Sequence, residues 1–273
     1  MPELPEVETV KSYLVKKILH RKIIKIKVLN SKLRWPINTR SIRRVIGYEI
    51  KEVRRRGKYI LLDFEGTQLS MVIHLGMTGV ISLSKIGEYK KEKHDHLLVI
   101  FEDLILIYND VRKFGSIHLT EETKNMFLLK NLGPEPMSGE FDSYYLYNKS
   151  INRKCSIKEL LMNQKIVVGI GNIYVTESLF MSKIHPSTPA SRITKSQCKI
   201  LIKNIKTVLS KAISMGGSTI KDFLNADGKP GYFSQELLVY QKTYCPIHKK
   251  NLIKNIRISG RSSFFCDKCQ KNN

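Results

Sequence analysis

The chain has 273 residues, of which 42% are hydrophobic, so it can bury one large core or two modest ones. Lysine and arginine number 47 against 24 acidic residues, a formal charge of +23 that excludes a neutral surface. The excess is +8 over residues 1–150 and +15 over residues 151–273, and it indicates a polyanionic partner, either a nucleic acid or an anionic membrane.

Other broad features indicate a soluble intracellular protein with two domains. No apolar run approaches the ~18 residues of a membrane span. The first ten residues contain three acidic side chains and lack the basic region of a secretory signal. Cysteine occurs five times, with three of the five after residue 240, which favours a reducing compartment and a local metal site over a disulfide framework.

The first half of the chain predicts one helix followed by short strands. Val7, Val10, Leu14 and Ile18 recur at steps of three and four residues, which indicates a helix over 5–20. Runs rich in β-branched residues then predict strands at 23–29, 60–65, 69–75, 80–83, 97–101 and 104–108. Their length and the turns between them favour an antiparallel sandwich or barrel. Turn-forming residues at 131–136 end this first domain.

The second half predicts helices at 156–162, 172–181 and 194–215. In the last of these, Ile200, Ile205, Leu209 and Ile213 are the predicted core stripe. A glycine-rich stretch at 227–232 predicts a flexible loop. The final residues return to short strands, as a small hairpin would.

Four potential metal ligands lie near the C-terminus. Two residues separate Cys245 from His248, two separate Cys266 from Cys269, and 17 residues lie between the pairs. This spacing predicts a tetrahedral zinc site, and four protein ligands would make the metal structural, with no open position for a substrate. The alternative is a surface histidine with free thiols. Cys155 and Cys198 are isolated and are interpreted as packing or surface residues.

The first residues, Met-Pro-Glu-Leu-Pro-Glu, allow two interpretations. One is helix initiation, because proline and acidic side chains are favoured in a first turn. The other is that removal of Met1 makes Pro2 the amino terminus. An α-amine has a pKa of roughly 8, against about 10.4 for lysine, so it is the better nucleophile at neutral pH.

Many ordered segments resemble one enzyme family along nearly the whole chain. The sequence is similar to the bacterial formamidopyrimidine-DNA glycosylases, bifunctional 8-oxoguanine DNA glycosylase/lyases. The opening segment is closer to this branch than to the related endonuclease VIII branch. The matching segments are 2–8, 56–59, 74–77, 93–96, 112–115, 132–136, 168–174, 221–223, 227–233 and the two ligand pairs.

The resemblance implies an α+β fold with two domains. An N-terminal helix and antiparallel β-sandwich would form a catalytic domain over 1–132, followed by a linker at 133–150. A helical helix–two-turn–helix DNA-binding domain would occupy 151–235, with a lesion-capping loop near 217–237. A β-hairpin zinc finger would complete the chain over 236–273.

The resemblance also assigns the catalytic groups. Pro2 would attack C1′ of the damaged nucleotide and form a Schiff base, and Glu3 would donate the proton that helps to open the sugar. Lys58 would assist β-elimination, although it could be one more cation of the basic run 51–58. Arg261 would contact the phosphate beside the extruded nucleotide.

Further positions would contact DNA. Met77, Arg112 and Phe114 would fill the gap left by an extruded base, although Met77 and Phe114 could be core residues. Asn172, at a helix start, would bind a phosphate. Other implied contacts are His94, Arg153, Lys154, Lys158 and Lys221, and Lys154 and Lys158 could equally be ordinary surface charge.

The implied function is base-excision repair of oxidised purines in duplex DNA, with β,δ-elimination at the abasic site. One structural zinc is the only cofactor expected, and the partner is double-stranded DNA containing oxidised purines or abasic sites. We expect a cytoplasmic, nucleoid-associated monomer with no membrane and no obligate protein partner. The alternatives are an endonuclease VIII-like enzyme for oxidised pyrimidines and a non-catalytic zinc-dependent DNA-binding protein.

Three positions depart from the family pattern. His248 stands where a fourth cysteine is usual, although imidazole is a competent zinc ligand. Lys113 replaces a commoner arginine, and Val111 stands where proline is common.

Overall fold

A computed structural model describes residues 2–218 and 232–271, and the chain divides into two compact units. The first unit holds the chain up to Lys130 and takes back residues 215–218 and Tyr232. The second holds Asn131–Ser214 and the described residues from Phe233 onward. Lys221 and most of the predicted capping loop lie outside the described residues.

Helix α1 opens the first unit at Leu4–Ile18. The Glu6 carboxylate accepts a hydrogen bond from the backbone N–H of Glu3, and Pro5 in the first turn needs no N–H partner. The apolar stripe predicted from sequence, together with Leu4, is fully buried along one face. A four-residue helix, α2, follows at Thr39–Ile42.

Eight antiparallel strands form two four-stranded sheets in the first unit, in the orders β2-β3-β4-β8 and β1-β6-β7-β5. One continuous core joins α1 to apolar side chains from both sheets. The predicted β-sandwich is therefore confirmed, and the barrel is excluded. The strands are β1 Lys25–Val28, β2 Ile50–Arg56, β3 Tyr59–Phe64, β4 Ser70–His74, β5 Gly79–Lys85, β6 Asp95–Ile100, β7 Leu104–Asp110 and β8 Ser116–Thr120.

The second unit is helical and ends in a hairpin. Side chains of Asp142 and Ser156 accept backbone N–H groups at the starts of α3 and α4, as helix caps do. The elements are α3 Ser143–Ser150, α4 Ile157–Met162, α5 Asn172–Met181, α6 Lys195–Ser214, β9 Lys254–Ile258 and β10 Arg261–Phe265, with a short 3₁₀ turn at Phe233–Glu236. Among the described helices, none has the length and apolar character to cross a membrane.

Two elements differ from the sequence expectations. Most of the basic run at 51–58 forms strand β2, and the span expected as a linker contains helix α3. On α6, Ile205 and Leu209 are buried as predicted, but Ile200 is 50% exposed, so its assignment to the core stripe is wrong.

Candidate functional site

Pro2 and Glu3 lie buried at the start of α1. The Glu6 carboxylate holds this end of the chain, because its Oε2 accepts the Glu3 N–H at 2.7 Å. Its Oε1 accepts the Ser218 N–H at 2.7 Å and the Ser218 hydroxyl at 3.1 Å. One buried side chain thus joins the backbone beside Pro2 to residue 218.

Gly217 allows that approach. Its φ of +81° lies in the left-handed region, and a Cβ at this position would come within 2.9 Å of Glu6 Oε1. A side chain at residue 217 would therefore displace the Glu6 carboxylate.

Lys58 is half-buried in the tight turn between β2 and β3. Arg55 fixes this turn to α1, since it donates to the Gly57 carbonyl at 3.0 Å and to Glu8 Oε2 at 2.6 Å. Burial raises the pKa of Glu8, but hydrogen bonds and charge from Arg55 and Lys11 outweigh it and leave the pKa lowered. The pair is therefore ionised at neutral pH and anchors the turn that carries Lys58.

Met77, Arg112 and Phe114 line one open groove of about 690 Å³ in the first unit. Met77 is 37% exposed and Phe114 is 43% exposed, so neither is a core residue. The Arg112 guanidinium lies 4.8 Å from the centroid of the Phe114 ring, a cation–π distance. The structure therefore presents an apolar and cationic surface of the kind that can enter a base stack.

His74 and Arg34 also line this groove, and neither received a role from the sequence. The His74 ring lies 4.7 Å from that of Tyr59, and its Nδ1 accepts the Gly76 N–H. Burial, followed by the charges of Lys58 and Arg34, lowers the pKa of His74 to about 4, so the ring is neutral at pH 7. The sequence could have indicated a role for His74, because it directly precedes the Leu-Gly-Met turn that carries Met77.

His94 precedes β6 and is half-exposed, and its carbonyl accepts the Asp110 N–H at 3.1 Å. The two residues that follow it, Asp95 and His96, are buried. Of this polar trio, His94 is the one that the fold leaves accessible to a ligand.

Asn172 begins α5 in the second unit, with Gly171 as the residue that caps the helix. Its Nδ2 donates to the Ser262 carbonyl of the hairpin at 3.1 Å. Its Oδ1 is buried and accepts no hydrogen bond from any described residue. Gly169 has a φ of +86°, which turns the chain before the helix. Backbone N–H groups at such a helix start favour an anion.

Arg153 and Arg261 are exposed and line one cavity of about 490 Å³ in the second unit. Lys154, next to Arg153, is exposed as well. The cavity lining also carries one carboxylate, Glu159, so its two guanidinium groups leave an excess of positive charge that favours a phosphate.

Lys158 is not exposed, contrary to the expectation from the sequence. It is fully buried, and its Nζ donates to the Ser263 hydroxyl at 2.6 Å and to the Ser262 carbonyl at 3.1 Å. It is therefore not ordinary surface charge: it joins α4 to the hairpin. Lys158 is buried because β10 packs against the helices, and no pattern of neighbouring residues in the sequence indicates that contact.

Cys245, His248, Cys266 and Cys269 come together as predicted, with their ligand atoms all within 4.8 Å of one another. The sulfur atoms of Cys245 and Cys269 lie 3.7 Å apart. His248 Nδ1 lies 3.2 Å from the sulfur of Cys269 and 3.8 Å from that of Cys266. Zn–S bonds of about 2.3 Å place tetrahedral sulfur neighbours about 3.8 Å apart, so the four donors fit a tetrahedral metal ion.

Second contacts orient these ligands. The His248 N–H points to the Cys245 sulfur at 3.3 Å, and Asn251 Nδ2 points to the Cys266 sulfur at 3.3 Å. Such N–H contacts to sulfur stabilise thiolates, the form that binds a metal. The substitution of histidine for a fourth cysteine therefore leaves a complete ligand set.

Comparison with known proteins gives full-length matches. Residues 1–117 match the formamidopyrimidine-DNA glycosylase N-terminal domain, and residues 132–224 match the H2TH domain of the same enzymes. The formamidopyrimidine-DNA glycosylase of Proteus mirabilis is 45% identical over 99% of this chain and 98% of its own length. That of Rickettsia bellii is 43% identical over 99% of this chain and 100% of its own.

Solved structures are similar over the same length. A Lactococcus lactis FPG variant in complex with DNA containing Fapy-dG is 36% identical, covers 99% of this chain and 100% of its own, and has a TM-score of 0.91. The Lactococcus lactis protein with DNA containing an abasic site matches with the same identity and coverage and a TM-score of 0.90.

Proposed function

The chain belongs to the formamidopyrimidine-DNA glycosylase family, and from that premise we propose that it excises oxidised purines, 8-oxoguanine and formamidopyrimidines, from duplex DNA. The match of both domains over almost the entire length carries this proposal. The enzyme then cleaves the abasic strand by β,δ-elimination.

Pro2 is the nucleophile once Met1 has been removed. Its nitrogen bonds to C1′ while the N-glycosidic bond breaks, and the electron pair of that bond leaves with the base, which takes up a proton. The Pro2 nitrogen then loses its proton, O4′ takes up a proton from Glu3 as the C1′–O4′ bond breaks, and an iminium forms between Pro2 and C1′. This iminium accepts the electron pair when the C2′ proton is removed, and the 3′ phosphate departs. A second elimination releases the 5′ phosphate. The burial of Glu3 favours this chemistry, because water is kept from the place where the adduct forms.

Three side chains assist. Glu3 donates the proton that opens the sugar ring, and Lys58 assists β-elimination from the turn that Arg55 fixes. Arg261, exposed on the hairpin, binds the phosphate beside the extruded nucleotide. A guanidinium suits that task because it is always charged and offers several N–H donors.

Extrusion of a base leaves a gap and an orphan partner base. Met77 fills the gap, Phe114 enters the neighbouring base step, and Arg112 donates to the orphan base. The exposure of the two apolar side chains on the groove supports these roles.

The rest of the duplex is held through its phosphates. His94, Arg153, Lys154 and Asn172 supply contacts, and Lys221 adds one from outside the described residues. Because the net charge of +23 releases counterions from DNA on binding, affinity should fall steeply with salt. Binding and repair take place in the cytoplasm at the nucleoid, by a monomer.

A single zinc ion held by Cys245, His248, Cys266 and Cys269 stabilises the hairpin. Structural zinc supplies folding free energy to a segment too short to bury much core. The ligand set is closed, so the ion takes no part in the reaction.

Excision from matched duplexes tests the proposed function. Duplexes with one 8-oxoguanine, one formamidopyrimidine or one thymine glycol are compared under single-turnover conditions, with undamaged duplex as control. We expect rapid excision of the two purine lesions. A clear preference for thymine glycol would indicate an endonuclease VIII-like enzyme, and binding without any excision would indicate a non-catalytic DNA-binding protein.

A Pro2→Gly variant separates catalysis from binding. Because the phosphate contacts lie elsewhere, we expect it to lose most turnover and to keep much of its affinity for DNA. Unchanged turnover would contradict the nucleophile.

A further inference from the structure

The two exposed tips of the groove share one buried anchor. Met77 lies on the turn between β4 and β5, and Phe114 lies on the turn between β7 and β8. Asp110, the last residue of β7, is fully buried between them. Its Oδ1 accepts the Thr78 hydroxyl at 2.6 Å, and its Oδ2 accepts the Gly115 N–H at 2.8 Å. Each oxygen of one carboxylate thus holds the residue beside one tip.

The two turns are also joined directly. Thr78 Oγ1 accepts the Arg112 N–H at 3.0 Å while its own proton goes to Asp110. A Cβ on Gly76 would lie 2.5 Å from the Gly115 nitrogen, so the two backbones are in contact. Lys113, with a φ of +59°, completes the sharp turn. Arg112, Thr78 and Asp110 therefore form one hydrogen-bonded chain across both turns.

We propose that Asp110 is a positioning residue that holds Met77, Arg112 and Phe114 as a single preformed wedge. The inference rests on the proposed function, because the wedge has a task only where a base is extruded. Asp110 itself is fully buried, so it acts through the residues that it holds. A wedge built in advance lowers the entropy cost of inserting three side chains together.

Asp110→Asn isolates this contribution, because it keeps the size of the side chain but replaces one acceptor oxygen with an N–H donor. One of the two turns then faces a donor where it needs an acceptor. Thr78→Val is a second, milder variant, which keeps the shape of a half-buried side chain and removes its hydroxyl. Asp103→Asn is the matched control: this exposed carboxylate lies in the turn before β7, pairs with Arg21 and does not line the groove.

The primary measurement is the rate of base unstacking, which does not depend on cleavage of the DNA. A duplex with a tetrahydrofuran abasic analogue carries 2-aminopurine in the adjacent base pair, and its fluorescence rises when the step is unstacked. We expect wild-type protein and Asp103→Asn to give the full rise. Asp110→Asn and Thr78→Val should slow it by about tenfold or more, the cost of a lost hydrogen bond to a charged group. Because both substitutions break the same chain of hydrogen bonds, the double variant should unstack the step no more slowly than the slower single variant.

Strand cleavage at an abasic site in single-stranded DNA supplies the second readout, because there is no base step to enter and no orphan base. We expect Asp110→Asn and Thr78→Val to retain this cleavage within about twofold of wild type, whereas excision from duplex falls with the unstacking rate. The inference would be overturned if both variants unstacked the base step as fast as the wild type does. An equal loss of single-strand and duplex activity would overturn it too, since that pattern reports general damage to the fold. Normal unstacking by the wild type without any excision would instead refute the proposed function and leave the Asp110 comparison valid.

Discussion

Replacing Lys158 with methionine should destabilise the hairpin that carries Arg261. Methionine keeps an unbranched stem and removes the amine, whose Nζ lies 2.6 Å from Ser263 Oγ and 3.1 Å from the Ser262 carbonyl. A buried polar group that loses its hydrogen-bond partner costs about 1–3 kcal/mol. Relief of the cost of burying the polar amine offsets part of that loss. We therefore expect the free energy of unfolding to fall by about 2–3 kcal/mol.

Urea unfolding followed by circular dichroism, together with the rate of zinc release to a chelator, measures the effect. Lys154→Met is the matched control, because Lys154 is exposed and its loss should change the free energy of unfolding by less than about 0.5 kcal/mol. We expect a lower urea midpoint and faster zinc release for Lys158→Met alone. Equal midpoints for the two variants would refute the assignment of Lys158 as the link between α4 and the hairpin.

Two further outcomes are expected. The His74 imidazole should titrate near pH 4 by NMR, and a midpoint near pH 6.5 would contradict its burial. The unfolded state binds this proton from about pH 6.5 downward, whereas the folded state binds it only near pH 4. His74 should therefore lower the free energy of unfolding as the pH falls from about 6.5 to 4, by at most about 3 kcal/mol. Exchange of the metal for cobalt(II) should give the intense visible absorption of a tetrahedral site. The Cys269→Ser variant should show weaker absorption, because it loses one thiolate ligand. A weak spectrum typical of octahedral cobalt would contradict the proposed ligand set.

The elements with clear periodicity could be predicted from sequence. Helix α1 and most strands occur within a few residues of their expected positions, because one face of each is apolar. The metal ligands were predictable for a different reason, since two short pairs with fixed spacing leave few alternatives. Strand β2 was missed: it is an edge strand with five charged residues among its seven, so the apolar alternation is interrupted.

The remaining misses concern tertiary contacts. Ile200 precedes Ile205 by five residues, which places the two about 140° apart on a helix at about 100° per residue. Ile200 is accordingly exposed. The burial of Lys158 and the shared anchor at Asp110 depend on strands and helices distant in sequence. No pattern of neighbouring residues reports such contacts.

The central claim is that the imino group of Pro2 bonds to the sugar of the damaged nucleotide. Borohydride reduction during reaction with 8-oxoguanine duplex, followed by mass spectrometry of the digested protein, tests it most directly. We expect Met1 to be absent and the reduced DNA adduct to lie on the peptide that begins with Pro2. An adduct on Lys58, or full excision by protein that retains Met1, would contradict it.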